Sequence, residues 1–307
     1  MTSAAAVSLE GVRKSFGPTL ALEDLTLSVA TGEKFGVIGS DGAGKTTALR
    51  LICGLLRPDA GTVQVLGQDP VRAHRAASQS IGYVSQQFSL YGDLSIDENI
   101  AFFASIHGVG DFADRRTRLL ELTGLAAFRD RRADRLSGGM KQKLALACTL
   151  VHEPRILVLD EPTTGVDPVS RREFWKLLAE FLSQKLTIIL ATPYLDEAER
   201  CSRVALLNHG RLMALDVPAR LQAESEGVIL EVVASPPRRA LQVLRTRLGD
   251  DRVQLFGDRL HVHVTDASAS DEIVRWLHEA GIETTTVRAI VPTLEDVFIE
   301  LLARMPS

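Results

Sequence analysis

The stretch that most limits the possible folds of this 307-residue chain is the octapeptide GSDGAGKT, Gly39 to Thr46. It matches the spacing G-x-x-x-x-G-K-[ST], and it lies between the apolar strand pattern KFGVIG and a helical pattern. Glycines in such a turn let successive backbone N–H groups point inward, at the positive end of the following helix. The pattern therefore predicts a loop that binds nucleotide phosphates at the end of a buried strand.

The individual residues of this loop have predicted roles. We expect Lys45 to place its charge on the β- and γ-phosphates and the Thr46 hydroxyl to ligate Mg²⁺. A chance glycine-rich turn would not be expected to have both the strand before it and the helix after it. The predicted nucleotide-binding residues of the loop are Gly39, Ser40, Asp41, Gly42, Ala43, Gly44, Lys45, Thr46 and Thr47.

The apolar stretch ILVLDE is a second candidate for the same chemistry, since it reads as a strand that ends in Asp160 and Glu161. Asp160 can hold Mg²⁺, and Glu161 can orient or deprotonate an attacking water. Many buried strands end in acids, so this motif gains its weight from its pairing with the phosphate loop.

The third motif is LSGGM, in which Ser137, Gly138 and Gly139 open the helical pattern KQKLALACTLV. These residues form another helix N-terminus that can grip an anion. One phosphate loop needs only one such cradle, so the second predicts a nucleotide shared across a dimer interface. With this motif the chain resembles the ATP-binding cassette (ABC) ATPases, in which it is the signature sequence, usually ending in Gln instead of Met140.

Further matches to the ABC ATPases follow in the family's order and cover the whole first domain. Phe16 in KSFG resembles the aromatic residue that stacks on adenine, and Gln86 in IGYVSQ resembles the glutamine that faces Mg²⁺ and the catalytic water. Asp167 in TTGVDP resembles the loop that crosses to the partner subunit. The resemblance therefore implies an ATPase that uses ATP and Mg²⁺, with Glu161 and Gln86 as catalytic residues.

Two segments resemble the daunorubicin-resistance, or multidrug-export, branch of this family: FSLYGDLSIDENI at 88–100 and PTLEDVFIEL at 292–301. Other stretches are similar to the first half of tandem, two-cassette members, although this chain has one cassette. The branch implies an ATP-binding subunit that powers a membrane exporter through a separate permease and a second cassette, identical or not. It also implies a cytoplasmic protein held at the inner face of the membrane by that permease.

The order of the predicted elements indicates two domains. Residues 1–217 are expected to form an α/β P-loop ATPase domain with a mostly parallel sheet and a helical subdomain at about 88–150. After Pro218 the pattern becomes β-α-β-β-α-β with a terminal helix, which is the split-βαβ plan. We expect residues 218–307 to form a small α+β domain for regulation or dimerisation.

Pro193 is the departure from the family with the clearest chemical consequence. The register of YLDEAE places it where the family has a histidine that contacts the γ-phosphate, and proline can neither donate that hydrogen bond nor take a proton. An alternative function is therefore a catalytically weak, regulatory nucleotide-binding subunit paired with a competent cassette.

The remaining features favour no other class. The net charge of −4 argues against nucleic-acid binding, and no apolar run approaches the length of a membrane span. We expect reduced core cysteines, and packing or surface roles for His261 and His263, which lack a third metal ligand. The cluster RDRRADR at 129–135 is expected to be a solvated or subunit-contacting face. The spacing of the motifs does not fit ABC proteins of DNA repair, and no base-specifying GTPase motif is present.

Overall fold

The computed structural model describes residues 5–86, 90–182 and 186–304, and it divides the chain into two compact units, Met1–Leu215 and Asp216–Ser307. The division lies two residues before the predicted boundary at 217. The predicted start of the helical subdomain, near position 88, lies outside the described residues. We describe the two units separately.

The strands of the first unit are Ala5–Phe16 (β1), Thr19–Ala30 (β2), Lys34–Ile38 (β3), Ala60–Val65 (β4), Ile81–Val84 (β5), Ile156–Asp160 (β6), Thr187–Thr192 (β7), Arg203–Asn208 (β8) and Arg211–Asp216 (β9). Its helices are Lys45–Ile52 (α1), His74–Ser80 (α2), Ile96–Ile106 (α3), Ala113–Thr123 (α4), Gly138–Leu150 (α5), Pro168–Leu182 (α6) and Leu195–Ala198 (α7). Short 3₁₀ turns lie at Ala126–Phe128 and Ala133–Arg135.

A six-stranded sheet with the order β5-β6-β7-β3-β8-β9 forms the centre of the first unit, and its first five strands run parallel. Every residue of β6 and β7 is buried, as expected for strands that are apolar on both faces. The predicted α/β fold is confirmed. Because β3, β6 and β7 are neighbours and parallel, their carboxyl ends and the loops that follow them lie at the same edge of the sheet.

A second, antiparallel sheet with the order β2-β1-β4 was not predicted. Its strands β1 and β2 pair along most of their length, with several register shifts that bend the ribbon. The apolar side chains of β1, such as Leu9 and Val12, join the same core as Phe35 of β3 and Leu49 of α1. This sheet matters for the site because β1 ends at Phe16.

The helical subdomain is built from α3, α4 and α5. Ser95 caps α3 in a capping box: it accepts a hydrogen bond from the backbone of Glu98, whose side chain accepts one from the backbone of Ser95. At the other end, His107 follows α3 and its ring stacks on that of His152, which follows α5, with centroids 3.7 Å apart. The two imidazoles therefore join the ends of two helices.

This histidine pair gives a pH-dependent contribution to stability. Burial, with smaller effects of His107 and Arg115, lowers the pKa of His152 to about 4, whereas an unfolded histidine titrates near 6.5. The stability gained by burying the neutral ring is therefore fully present above pH ~6.5 and is lost as the pH falls toward 4. We expect the melting temperature to fall by a few degrees more between pH 7 and 5 in the wild type than in His152→Gln. The exposed His74→Gln is the control, and equal slopes in all three proteins would contradict the assignment.

The second unit contains Pro218–Ala223 (α8), Val228–Ser235 (β10), Pro237–Leu248 (α9), Val253–Phe256 (β11), Arg259–Val264 (β12), Ala269–Glu279 (α10), Glu283–Ile290 (β13) and Leu294–Arg304 (α11), with a 3₁₀ turn at Asp250–Arg252. This is the predicted β-α-β-β-α-β order. The strands form an antiparallel sheet with the order β11-β12-β10-β13. Side chains from α9 and α10, including Leu244 and Leu277, pack on Leu230 and Val262 of the sheet.

Candidate functional site

Most of the predicted site residues meet in an open cleft of about 630 Å³ at the carboxyl edge of the parallel sheet. The loop between β3 and α1, the residue after β6 and the residues after β7 form its walls, because these strands end together at that edge. The lining residues are Phe16, Thr19, Leu20, Ala21, Asp41, Gly42, Ala43, Gly44, Lys45, Thr46, Thr47, Gln86, Glu161, Thr164, Pro193 and Tyr194.

Two glycines of the loop are required by its geometry. Gly44 has φ +101°, and an added Cβ would lie 2.5 Å from the carbonyl oxygen of Ala21. A Cβ on Gly39 would lie 2.4 Å from the carbonyl oxygen of Leu207. Gly44 is also the N-cap of α1 and makes no side-chain cap, so the first N–H groups of that helix face the loop.

Lys45 is almost fully buried, and three oxygens surround its ammonium group. Its Nζ lies 2.9 Å from the carbonyl oxygen of Gly39, 3.0 Å from that of Ser40 and 3.3 Å from Oε1 of Glu161. Gly39 and Ser40 thus position the lysine through their backbone. The ammonium is the cation around which the loop is folded, and Glu161 is its counter-ion.

Asp160 at the end of β6 is buried between two hydroxyl donors. Thr46 Oγ1 donates to its Oδ1 at 3.0 Å, and the Tyr83 hydroxyl donates to its Oδ2 at 3.1 Å. Burial raises the pKa of Asp160, and the nearby Glu161 raises it further, while the two hydroxyls act in the opposite direction. The Asp160 carboxylate therefore lies beside the Thr46 hydroxyl, and both groups are oxygen ligands that suit Mg²⁺.

Glu161 lies next to Asp160, but its side chain enters the cleft. Gln86 Nε2 donates to Oε2 of Glu161 at 2.9 Å, and the Thr164 hydroxyl donates to the same oxygen at 3.3 Å. The backbone of Glu161 has φ +48°, a left-handed conformation that is unfavourable for a residue with a side chain. Its N–H donates to the carbonyl oxygen of Ala191 in β7, which fixes the turn to the neighbouring strand.

Pro193 and Tyr194 form the opposite wall of the cleft, directly after β7. Thr192, the last residue of β7, is fully buried and extended, the conformation that a residue before proline prefers. Arg171 lies over the ring of Tyr194, 4.6 Å from its centroid. Pro193 therefore faces the cleft without a polar side-chain atom.

The signature residues lie outside the lining of this cleft. Ser137 is the N-cap of α5, and its side chain accepts a hydrogen bond from the N–H of Met140 at 3.3 Å. Gly138 and Gly139 begin the helix, and a Cβ on Gly139 would lie 2.6 Å from the Ser170 hydroxyl. Asp167 caps the start of α6 by accepting the N–H groups of Val169 and Ser170. The hydrogen bond from the Ser170 side chain lowers the pKa of Asp167, and the two backbone hydrogen bonds lower it further.

Several functional contacts were not predicted from the sequence. Gln142 of α5 is buried and donates to the carbonyl oxygen of Pro162, which links the signature helix to the residue after Glu161. Tyr83 and Thr164 contact the two carboxylates directly. Glu197 is 1% exposed and lies at the centre of a cluster behind the cleft. Only two features of the sequence pointed to these contacts. Gln142 follows the signature by two residues, and Glu197 lies in the acidic helix after Pro193.

The other candidate residues have structural roles. His261 is buried and its Nδ1 lies 2.9 Å from Asp296, while His263 contacts the backbone oxygen of Glu226. In the cluster at 129–135, Arg129 pairs with Asp97 and Arg132 with Asp93. Within the described ranges, no group of three or more His, Cys, Asp or Glu is arranged to hold a metal ion. No helix in those ranges is long and apolar enough to cross a membrane.

Comparison with known proteins gives a consistent result. A family model for ABC transporters matches residues 22–164. The chain is 39% identical over 306 residues to the probable multidrug ABC transporter ATP-binding protein YbhF of Escherichia coli (strain K12), a match that covers 97% of this chain and 52% of YbhF. The chain thus spans about half the length of that relative. It is 37% identical to the Nod factor export ATP-binding protein I of Rhizobium sp. (strain N33), covering 98% of both chains.

Solved structures with the same fold are ABC cassettes. The structure of an ATP-binding subunit of an ABC transporter matches with a TM-score of 0.66 and 26% identity, covering 71% of this chain and 92% of that one. A post-hydrolysis dimer of the cassette MJ0796 bound to ADP and Pi matches with a TM-score of 0.63 and 26% identity, covering 69% and 98%.

Proposed function

The chain belongs to the family of ABC transporter ATP-binding proteins, and from that membership we propose that it hydrolyses ATP to power a membrane exporter. The observation that carries the proposal is the cleft in which the phosphate loop, Gln86, Glu161 and the end of β7 meet. Relatives named for multidrug transport, Nod factor export and daunorubicin resistance support an export function.

In the proposed reaction the phosphate loop binds the nucleotide. The N–H groups of residues 39–47 surround the β- and γ-phosphates, and Lys45 neutralises part of their charge. Phe16, which is half exposed at the mouth of the cleft, stacks on the adenine ring. Because Lys45 already contacts Glu161, the arriving phosphates compete with that carboxylate for the same ammonium group.

Magnesium accompanies the nucleotide in this proposal. Thr46 and Asp160 present a hydroxyl and a carboxylate within 3.0 Å of each other, and the amide oxygen of Gln86 is the third candidate ligand. The oxygen-only donor set fits a hard cation, and in the described part of the chain the hydroxyl donors that contact Asp160, Thr46 and Tyr83, are neutral. The ion, when bound, neutralises charge that develops on the phosphates.

Glu161 is the proposed general base. Its carboxylate lies in the cleft between Gln86 and Thr164, close to the wall that ends at Pro193. A carboxylate in this position can accept a proton from a water that attacks the γ-phosphate. Gln86 holds one carboxylate oxygen, so it fixes the direction of the other.

A second cassette completes the site. Ser137, Gly138 and Gly139 lie at the N-terminus of α5, outside the cleft of their own chain. We propose that they bind the γ-phosphate of a nucleotide held by the partner's phosphate loop, in a head-to-tail dimer with an identical or a different cassette. The related MJ0796 cassette is dimeric. The second unit, Asp216–Ser307, contains no phosphate loop and is proposed to serve dimerisation or regulation.

A transmembrane permease is the proposed second partner. ATP-driven closure of the cassettes would be passed to it through the helical subdomain, and it would hold the chain at the inner face of the membrane.

Mixing two inactive variants tests both the cleft and its completion by a partner. Lys45→Ala lacks a working phosphate loop, and Ser137→Arg blocks the signature, so each homodimer should be inactive. In a 1:1 mixture half of the dimers combine both chains, and each of those has one complete site. We expect about one quarter of the wild-type ATPase activity to return.

The control is a double variant that carries both substitutions, which should stay inactive on its own because none of its dimers has a complete site. No recovery in the mixture of single variants, with dimers present, would contradict the shared site. Activity of Ser137→Arg alone equal to that of the wild type would do the same. Stimulation of the ATPase by the co-expressed permease then tests the link to export.

A further inference from the structure

The carboxylate of Glu197 is buried behind the cleft and accepts four side-chain donors. At Oε1 these are the Thr163 hydroxyl at 2.5 Å, Arg171 Nε at 2.8 Å and Trp175 Nε1 at 3.2 Å. At Oε2 the donor is the Thr192 hydroxyl at 2.7 Å. The side chain of Glu197 is only 1% exposed, so these donors replace water completely.

The donors come from separate segments, and two of them flank the catalytic wall. Thr163 lies two residues after Glu161, and Thr192 directly precedes Pro193. Thr192 also accepts the N–H of Tyr194 at 3.1 Å, so the chain on both sides of Pro193 is tied to Glu197 through one hydroxyl. Arg171 and Trp175 anchor the same carboxylate to α6.

Glu161 itself depends on these segments for its conformation. Its left-handed backbone is bound on one side to Ala191, the residue before Thr192. On the other side the N–H of Thr164, the residue after Thr163, donates to the carbonyl oxygen of Glu161 at 3.2 Å. An unfavourable backbone conformation persists only where its surroundings hold it. Here the residues next to the two hydrogen-bonding partners of Glu161 are Thr192, beside Ala191, and Thr163, beside Thr164. Both threonine hydroxyls donate to the carboxylate of Glu197.

We propose that Glu197 is a positioning residue for ATP hydrolysis, which fixes the turn that aims Glu161 into the cleft. This inference rests on the proposed function. Proline at position 193 increases its importance, because the segment after β7 has no side-chain hydrogen bond at that position and is held by Thr192 and Glu197. Glu197 acts through Thr163 and Thr192 and touches no atom that reacts.

Core packing by itself does not require a charged side chain at position 197. Its neighbours Thr163 and Thr192 are neutral, and Arg171 has a second partner in the exposed Asp196. Glu197→Gln keeps the shape but replaces one acceptor oxygen with an NH₂ group that faces the donors. The turn after Glu161 should therefore shift without loss of the phosphate loop, which belongs to different segments.

The test measures single-turnover hydrolysis and equilibrium ATP binding for wild type, Glu197→Gln, Thr163→Val and the double variant. A misplacement of about 1 Å costs roughly 100-fold in rate, so we expect Glu197→Gln to slow hydrolysis by about 10- to 100-fold. The Kd for ATP should change by less than about threefold, because Lys45 and α1 are unaltered. Asp196→Asn, on the same helix and with the same Arg171 partner, is the matched control with wild-type turnover.

Coupling between the two sites separates positioning from general stability. If Glu197 acts through Thr163, the double variant should be no slower than Glu197→Gln, whereas independent effects would multiply. A parallel loss of binding, rate and melting temperature would assign Glu197 a structural role and overturn the proposal, as would unchanged turnover in folded Glu197→Gln. If that variant does not fold, unchanged turnover in Thr163→Val overturns it. Absence of hydrolysis in wild type would instead overturn the proposed function itself.

Discussion

Replacing Lys45 with alanine is expected to abolish ATP binding at micromolar nucleotide. The ammonium is buried among the carbonyl oxygens of Gly39 and Ser40, so its removal leaves those oxygens facing the phosphates without a cation. Loss of a charge-assisted contact together with this repulsion should weaken Kd by at least about 100-fold, or roughly 3 kcal/mol. Retention of labelled ATP on the purified protein measures the effect.

Glu161→Gln separates binding from hydrolysis at the same site. The neutral amide competes less strongly for Lys45, so ATP should bind at least as tightly as in wild type, while the lost base should slow hydrolysis by about 10²- to 10⁴-fold. We expect this variant to accumulate as an ATP-bound dimer in size-exclusion chromatography.

For the Lys45→Ala experiment, substitution of the exposed Lys176 with alanine is the control for the loss of a lysine. Equal ATP retention by Lys45→Ala and wild type would show that the loop has been assigned incorrectly.

The candidate site could be proposed from the sequence where its residues are contiguous. Gly39–Thr46 carries its own evidence, since a strand, a glycine turn and a helix N-terminus follow one another. Asp160 and Glu161 could be added because parallel strands end at a common edge. The contacts of Gln142 and Glu197 depend on which helix faces which loop, so no local pattern reveals them. Their burial as polar side chains becomes meaningful only when their partners are known.

The fold, too, could be predicted only in part from local sequence patterns. The buried strands β6 and β7 and the β-α-β-β-α-β order of the second unit follow from apolar periodicity and turn residues. The sheet β2-β1-β4 did not, because its strands carry mixed polar and apolar residues and its third strand comes from a distant part of the chain. Likewise, the two-residue spacing of His261 and His263 predicts that both side chains lie on the same face of β12. It does not reveal the partner of His261, because Asp296 lies 35 positions later in the chain.

Pro193→His is expected to raise the ATPase activity of the isolated protein. Pro193 lines the cleft beside Glu161 and Thr164, so an imidazole there would face the same space as the catalytic carboxylate. One charge-assisted hydrogen bond to the γ-phosphate is worth roughly 1.5–3 kcal/mol. If the bond acts fully in the transition state, turnover should rise by about tenfold to hundredfold, with little change in the Kd for ATP.

Pro193→Ala is the control for this substitution, because it removes the ring and restores a backbone N–H without adding a proton donor on the side chain. A gain with His but not with Ala would assign the effect to the imidazole. Equal gains would instead assign it to the release of the backbone between Thr192 and Tyr194, which Glu197 holds in place. In a dimer with a cassette that has its own histidine, the intact Ser137, Gly138 and Gly139 of this chain already complete a competent site. Pro193→His should therefore at most double the turnover of such a heterodimer, because only one of its two sites is changed. No gain in the isolated protein would show that the missing histidine does not limit hydrolysis.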